Sequence, residues 1–319
     1  MTDETAGGDT MRAIRFHAYG EPADVLRVED AAIPTPGAGH IRVRVHACGL
    51  NPADWALCRG LFPGELPRGV GLDVAGIVDA VGDGVTDIGI GDRALGSASF
   101  ANYPSAGASD VAVLERWGQA PEGLDLVEAA ALPMAVETAS LHLDALGPVD
   151  GKTVLIHAAG TMMGFAAVQM ALMAGARVIA TAGDTFAGQL RTLGASVTRY
   201  GDGMVERVRE IAGGAPDLIL DTAWPNGVLP DLIGIAGGDA RRVLTMTDFA
   251  AAAELGARHS FGETMTRREG VLGAFARLAA EGRFRIPIAR TFRLDDWREA
   301  LEISLSGHAH GKLVLLPGG

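Results

Sequence analysis

Cysteine and lysine are nearly absent from this chain, tyrosine is scarce, and no long apolar run interrupts it. Two cysteines in 319 residues, Cys48 and Cys58, exclude a disulfide scaffold and any multi-cysteine zinc lobe. Cys48 reads as a small buried hydrophobe. The two lysines are Lys152 and Lys312, so arginine supplies the other positive charges. Phenolic hydroxyls come only from Tyr19, Tyr103 and Tyr200. No apolar run reaches the roughly 18 residues of a spanning helix, and no membrane partner is expected. A net charge of −12 argues against nucleic acid and anionic lipid surfaces. Residues 1–10 are polar and acidic rather than a signal peptide, which predicts a flexible leader and a cytoplasmic protein, with Met11 as an alternative start.

What is present describes a globular α/β protein. Hydrophobic residues make up 48% and charged residues 21%, and the length exceeds what one core usually supports, so two domains are expected. The stretch from Val154 to Gln169 carries the organising signal. An apolar run breaks into a turn of small residues, Ala159, Gly160, Thr161 and Gly164, and then resumes at helical spacing through Phe165 and Val168. A second β-like run over 177–181 completes a βαβ unit whose helix N-terminus suits a pyrophosphate. The turn is an imperfect dinucleotide fingerprint, with Ala159, Thr161 and Gly164 at the three small positions and Gly160 added. An ordinary strand–helix turn without a ligand is the alternative.

Ahead of this unit, short alternating strands and glycine-rich turns over 11–96 predict a compact β domain. Asn51-Pro52 starts a short helix there. Behind it, strands over 154–157, 177–181, 197–199, 218–221, 242–246 and 258–261 alternate with helices such as 186–193 and 204–211. That pattern predicts a doubly wound parallel sheet. The alternation stops after Phe261, and a final strand near Leu313 is assigned back to the β domain. The expected boundaries are 11–125 plus 263–319 for the β domain and 126–262 for the inserted nucleotide domain, with a cleft between them.

Eight segments in order resemble the medium-chain dehydrogenase/reductase superfamily, in particular its zinc-free quinone oxidoreductase branch. They include Gly49-Leu-Asn-Pro-Ala-Asp54, Gly71-Leu-Asp-Val-Ala-Gly76, Gly89-Ile-Gly-Asp-Arg93, Ala129-Ala-Ala-Leu-Pro133 and Gly311-Lys312. The resemblance implies a GroES-like β domain carrying an inserted Rossmann domain. It also implies hydride transfer from NADP(H), with NAD(H) as the alternative, to a quinone or an α,β-unsaturated carbonyl. Zinc-dependent relatives place a cysteine at Asn51 and a His-Glu pair at Leu72-Asp73, so no catalytic zinc is expected here.

By the same resemblance the cofactor would contact Asn51, Thr138, Thr161, Met162, Met163, the segment after Thr181 (Ala182, Gly183), Tyr200, Thr245, Met246 and, more weakly, Lys312. Relatives that use NADPH carry a serine and a lysine after the second strand of the sheet. Here Asp184 and Ala187 stand instead, a carboxylate suited to a ribose diol. Arg199 beside Tyr200 keeps the phosphate reading open.

Asn51 is the leading catalytic candidate, as a hydrogen-bond donor to substrate or ribose, or else only the start of a helix. Asp54 reads as a first-turn carboxylate, and Trp55 as pocket wall or packing. Glu137 reads as a salt-bridged helix residue or, if buried, as a proton-transfer group. Tyr103 is the remaining candidate donor. An edge strand near Arg258 suggests a homodimer. The rival reading is a family member that has lost redox chemistry and uses the fold as a non-redox catalyst or binding protein.

Overall fold

The computed structural model describes residues 10–263 and 265–318, so the expected leader lies outside the described residues except for Thr10. The chain divides into two units, Met1–Met134 with Leu272–Gly319, and Ala135–Val271.

The first unit opens with β1 (Thr10–Phe16), α1 (Pro22–Val25), β2 (Arg27–Ala32), β3 (Ile41–Leu50), α2 (Pro52–Cys58), β4 (Arg68–Gly69), β5 (Asp73–Val81), β6 (Arg93–Ala98), β7 (Val111–Gln119) and α3 (Leu126–Ala129). In β3 the burial alternates from Ile41 to Val45 and then becomes continuous from Ala47, so its second half is covered on both faces. β3 pairs antiparallel with both β5 and β7, which curls the sheet back on itself.

The second unit holds α4 (Pro133–Leu146), β8 (Thr153–His157), α5 (Met162–Met173), β9 (Arg177–Thr181), α6 (Asp184–Thr192), β10 (Ser196–Thr198), α7 (Met204–Ala212), β11 (Leu218–Asp221), α8 (Leu229–Ile235), β12 (Val243–Thr245), α9 (Phe249–Leu255) and β13 (Arg258–His259). Its strands are all parallel, in the order β10-β9-β8-β11-β12-β13. That is a doubly wound sheet whose order reverses between β8 and β11, where such sheets bind ligands beyond the C-terminal strand ends.

The chain then returns to the first unit through α10 (Val271–Ala280), β14 (Ile288–Arg293), α11 (Trp297–Leu305) and β15 (Lys312–Leu316). β15 pairs antiparallel with β3, so the final strand does join the β sheet.

The observed boundaries fall after Met134 and Val271, each nine residues later than expected. The physical reason is local. α3 packs on β3 and β5, and the Met134 amide donates to Asp73, which ties 126–134 to the β unit. Glu263 and Arg268 make ion pairs to Arg258 and Asp144, which ties that segment to the second unit. Pro133 does not interrupt a helix; it begins α4, where a missing N–H is harmless.

Candidate functional site

The first unit carries a buried polar cluster built from four of the segments singled out by sequence. β3 ends at Leu50, and Asn51 follows in an extended conformation as the residue before α2. Its N–H donates to the Asp54 carboxylate at 2.6 Å, half of a capping box. Asp54 is fully buried and also accepts from the Gly71 and Leu72 amides at 2.8 and 2.9 Å. The expected first-turn carboxylate is thus a clamp joining α2 to the residues before β5. Burial pushes its pKa up to about 7; the Asn51 amide opposes the rise, Asp73 adds to it, and Gly71 and Lys312 hold it back.

Lys312, the first residue of β15, is 2% exposed. Its Nζ donates to Asn51 Oδ1 at 2.5 Å and to Asp73 Oδ2 at 2.7 Å. The Asn51 amide nitrogen donates to Asp73 Oδ2 at 3.1 Å, and Asp73 Oδ1 accepts from Met134 N–H at 2.9 Å. A Cβ on Gly49 would lie 2.8 Å from Lys312 Cε and 2.2 Å from the Ala130 carbonyl oxygen, so glycine lets the lysine stem pass. Lys312, expected at the cofactor, is therefore an interior ammonium held by a carboxylate and an amide. Asn51, expected to present its amide to a ligand, has both ends of that amide engaged within the cluster.

Tyr103 falls elsewhere. Its hydroxyl accepts from the Gly37 amide at 2.8 Å and its ring meets His40 edge-on. Gly37 and His40 precede the ten-residue β3, whereas Asn51 follows it, a separation of about 30 Å along an extended strand. Tyr103 is no proton donor beside Asn51. Trp55 is packing: it is 2% exposed, with Nε1 on Ser304. Cys48 is fully buried, as its sequence context suggested.

In the second unit the fingerprint turn stands at the C-terminal end of β8, beside the order reversal. The left-handed residue in it is Ala158, with φ 57°, where glycine would be easier. Threonines hold it there. The Ala158 N–H donates to Thr181 Oγ1 at 3.0 Å, and the Thr222 hydroxyl lies 2.8 Å from the His157 carbonyl oxygen and 3.0 Å from that of Ala158. Thr161 caps α5, accepting from Gly164 N–H at 3.0 Å, and its hydroxyl also meets Thr222. The first-turn amides of Met162 and Met163 have no partner within their own helix by geometry alone, which suits a diphosphate. Ala159 N–H donates to the Thr181 carbonyl at 2.9 Å, joining the turn to β9. Beneath the turn, burial holds His157 near pKa 4, so it is a neutral strut against Thr181.

Gly164 has no room to change. A Cβ there would lie 2.7 Å from both the Ala158 carbonyl oxygen and Thr222 Oγ1, whereas at Gly160 the nearest atom is 3.4 Å away on Phe186. Gly164→Ala is expected to lower stability by about 1–3 kcal/mol and weaken nucleotide binding, while Gly160→Ala does neither. Denaturant melts and nucleotide titrations of the two variants check this, and equal behaviour would refute it.

Past β9, Ala182 donates from its N–H to the Thr198 carbonyl, and Gly183 begins α6 with the Tyr200 hydroxyl close by. Asp184 pairs with Arg199, both side chains well exposed. Arg191, Thr198, Arg199, Tyr200, Asp202 and Arg207 line an open groove of about 450 Å³. Arg207 spends its donors on Thr198 Oγ1 and the Asp202 and Arg199 carbonyls, none of them anionic. Arg207 was missed by sequence reasoning, since nothing in its helical context marks it.

On the other side of the reversal, Thr245 donates to Asp221, whose pKa burial raises to about 6, and Met246 N–H donates to the Asp221 carbonyl. Thr138 and Glu137 lie on α4. Glu137 is largely buried and sits 3.7 Å from Arg267, in the ion-paired arrangement. Asn51 and Lys312 thus meet in the first unit, and the fingerprint, groove and strand-end residues gather along the sheet of the second.

Among the described residues no three His, Cys, Asp or Glu side chains converge as metal ligands, and no helix is long and apolar enough to cross a membrane. Residues 37–130 match the family described as Alcohol dehydrogenase GroES-like domain, and residues 193–315 match Zinc-binding dehydrogenase. The chain belongs to the medium-chain dehydrogenase/reductase superfamily of enzymes. It is 39% identical to a quinone oxidoreductase of Sus scrofa over 184 residues, 56% of this chain and 54% of that protein. The match thus spans about half the length of that relative. A quinone oxidoreductase of Pseudomonas aeruginosa is 29% identical over 96% of this chain and 99% of its own. The solved quinone oxidoreductase of Coxiella burnetii superposes with a TM-score of 0.77 at 26% identity, covering 97% of this chain and all of that one. The superfamily implies a nicotinamide cofactor.

Proposed function

We propose that this protein is a zinc-independent reductase that delivers a hydride from NADPH, with NADH second, to a quinone or to the β-carbon of an α,β-unsaturated carbonyl. The observation that carries the reading is the fingerprint turn at the switch point of a β10-β9-β8-β11-β12-β13 sheet, with the α5 N-terminus opening beside it. The quinone oxidoreductase relatives support the acceptor class. The bound nicotinamide would supply the hydride. The chain's share is to hold the diphosphate at Met162 and Met163, to seat the adenosine end at Asp184, Arg199 and Tyr200, and to orient the reacting ring through Thr138 and the Thr245-Met246 strand end.

NADPH is favoured because the groove beside Tyr200 is lined by three guanidiniums and one carboxylate, and because Arg199 already neutralises Asp184. Zinc independence is supported by Lys312, whose ammonium lies against Asp73 and Asn51 and would repel a divalent cation there. Asn51 then acts through the shape of the β3–α2 junction. A homodimer fits a chain whose edge strand β13 has β12 as its one neighbour among the described residues and continues into an exposed Phe261 that meets Phe249 edge-on.

Fluorescence titration with NADPH and NADH in parallel tests the reading. NADPH is expected to bind more tightly, and Arg199→Ala is expected to weaken NADPH about tenfold or more while leaving NADH nearly as before. A preference for NADH would give Asp184 the selecting role. Failure of either nucleotide to bind would replace the reductase by the non-redox reading.

A further inference from the structure

The turn between β8 and α5 is stapled to both strands that flank β8. Ala158 is the first residue after β8, and its φ of 57° is one that an L-residue holds only at a cost. Such a conformation persists where the surroundings fix it. On one side stands Thr181, the last residue of β9, whose Oγ1 accepts from the Ala158 N–H at 3.0 Å. On the other stands Thr222, the first residue past β11, with its hydroxyl 2.8 Å from the His157 carbonyl oxygen and 3.0 Å from that of Ala158.

Two successive carbonyl oxygens thus face one hydroxyl, and its single proton is shared between them. Because that proton is committed to carbonyls, the Thr161 hydroxyl 3.0 Å away must donate to Thr222 Oγ1. Thr161 in turn accepts from the Gly164 N–H at 3.0 Å. The hydrogen bonds therefore run one way, from the first turn of α5 through Thr161 and Thr222 to the left-handed residue. Thr181 and Thr222 are both buried, so neither reaches a ligand. What they fix is the path of 158–163, and with it the direction of the Met162 and Met163 amides.

We infer that Thr222 is a positioning residue of the nucleotide site, acting with Thr181: the two hydroxyls hold Ala158 left-handed, which aims the first-turn amides of α5 at a bound diphosphate. The inference rests on the reductase reading above. Without the Thr222 hydroxyl, the two carbonyl oxygens lose the donor between them. Ala158 then relaxes toward negative φ and draws residues 159–163 with it. Glycine at 158 carries no such strain and keeps the turn with or without the hydroxyl.

The test uses the full chain, with NADPH titration and with amide hydrogen exchange of the 158–165 segment in the free protein. Thr222→Val keeps the side-chain shape and removes the hydroxyl. It is expected to weaken NADPH about five-fold and to speed exchange in 158–165, while exchange elsewhere in the sheet is unaltered. Thr222→Ser, which keeps the hydroxyl, should regain most of the loss. Ala158→Gly in the Thr222→Val background should restore both readouts, because the strain that the hydroxyl opposed is gone. Packing lost around Thr222 would not be repaired by a glycine 64 positions away in the chain. No loss in Thr222→Val, or a loss that Ala158→Gly leaves in place, would overturn the inference. If the unsubstituted protein binds no nicotinamide nucleotide, the reductase reading fails and the inference falls with it. A wild type that binds, matched by Thr222→Val, removes the inference alone.

Discussion

Lys312→Met is expected to destabilise the protein by about 3–5 kcal/mol. The ammonium is 2% exposed and its partners Asp73 and Asn51 are buried with it, so methionine, similar in length, leaves the Asp73 carboxylate in the interior without its cation. Two donors to Asp73 survive, the Asn51 amide and the Met134 N–H, but neither carries charge. The pair therefore matters more in its breaking than in its making. Asp73→Asn added to Lys312→Met removes the orphaned charge and should recover a substantial part of the loss. The cycle is measured by urea unfolding of the four proteins. A loss below about 1 kcal/mol in the single variant, or a double variant weaker than the single, would show that the cluster is not an obligate charge pair.

Asp54→Ala is expected to be comparably severe, for a different reason. Three backbone N–H groups, those of Asn51, Gly71 and Leu72, point at a fully buried carboxylate. Orphaning them costs about 1–3 kcal/mol each, so a loss of about 3 kcal/mol is a lower expectation. Asp54→Asn gives the matching pH readout. The wild-type carboxyl rises from an ordinary 3.8 to about 7 on folding, so the folded state holds its proton more tightly across that window. A raised carboxyl contributes stability that falls as pH climbs from about 4 to about 7. Asp221 has the same sign up to about 6, and His157, lowered to about 4, the opposite one. Subtracting Asp54→Asn from wild type cancels both, and the difference should fall with rising pH. A flat or rising difference would mean that the three amides, not burial, govern this carboxyl.

Much of this architecture was legible in the chain because it is written in local chemistry. Period-two alternation in 41–46 marks β3, and strand–helix alternation through 154–261 marks a parallel sheet, since each pattern must bury one face. Strand 177–181 was placed to the residue. The expected strand 258–261 is two residues too long, because Ser260 turns away to meet His142 and its polarity carries no signal of that. The domain boundaries ran nine residues early at both ends for a similar reason. Helical pattern marks a helical stretch from Val127, not which sheet its first turn, α3, packs on.

The candidate site divides along the same line. The fingerprint turn, its capping threonine and Gly164 follow from spacing, because a strand feeding a helix across a tight turn needs small residues at fixed offsets. Asp184 is expected after the second strand of the sheet and Arg199 beside Tyr200; the fold pairs Asp184 with Arg199, and Arg199 and Tyr200 line the groove. The others depend on contacts between residues far apart in the chain. Lys312 and Asn51 are 261 positions apart and His142 and Ser260 are 118; no periodicity encodes such meetings. Tyr103 reads as a candidate donor because sequence shows a side chain's chemistry but not its partner, here the Gly37 amide. The sequence by itself determined the two-unit plan, the superfamily and the nucleotide turn, since local propensity and pattern suffice for these. Only the tertiary structure decided which polar groups are spent on one another, because a hydrogen-bonding group is free or committed according to what the fold brings within 3 Å of it.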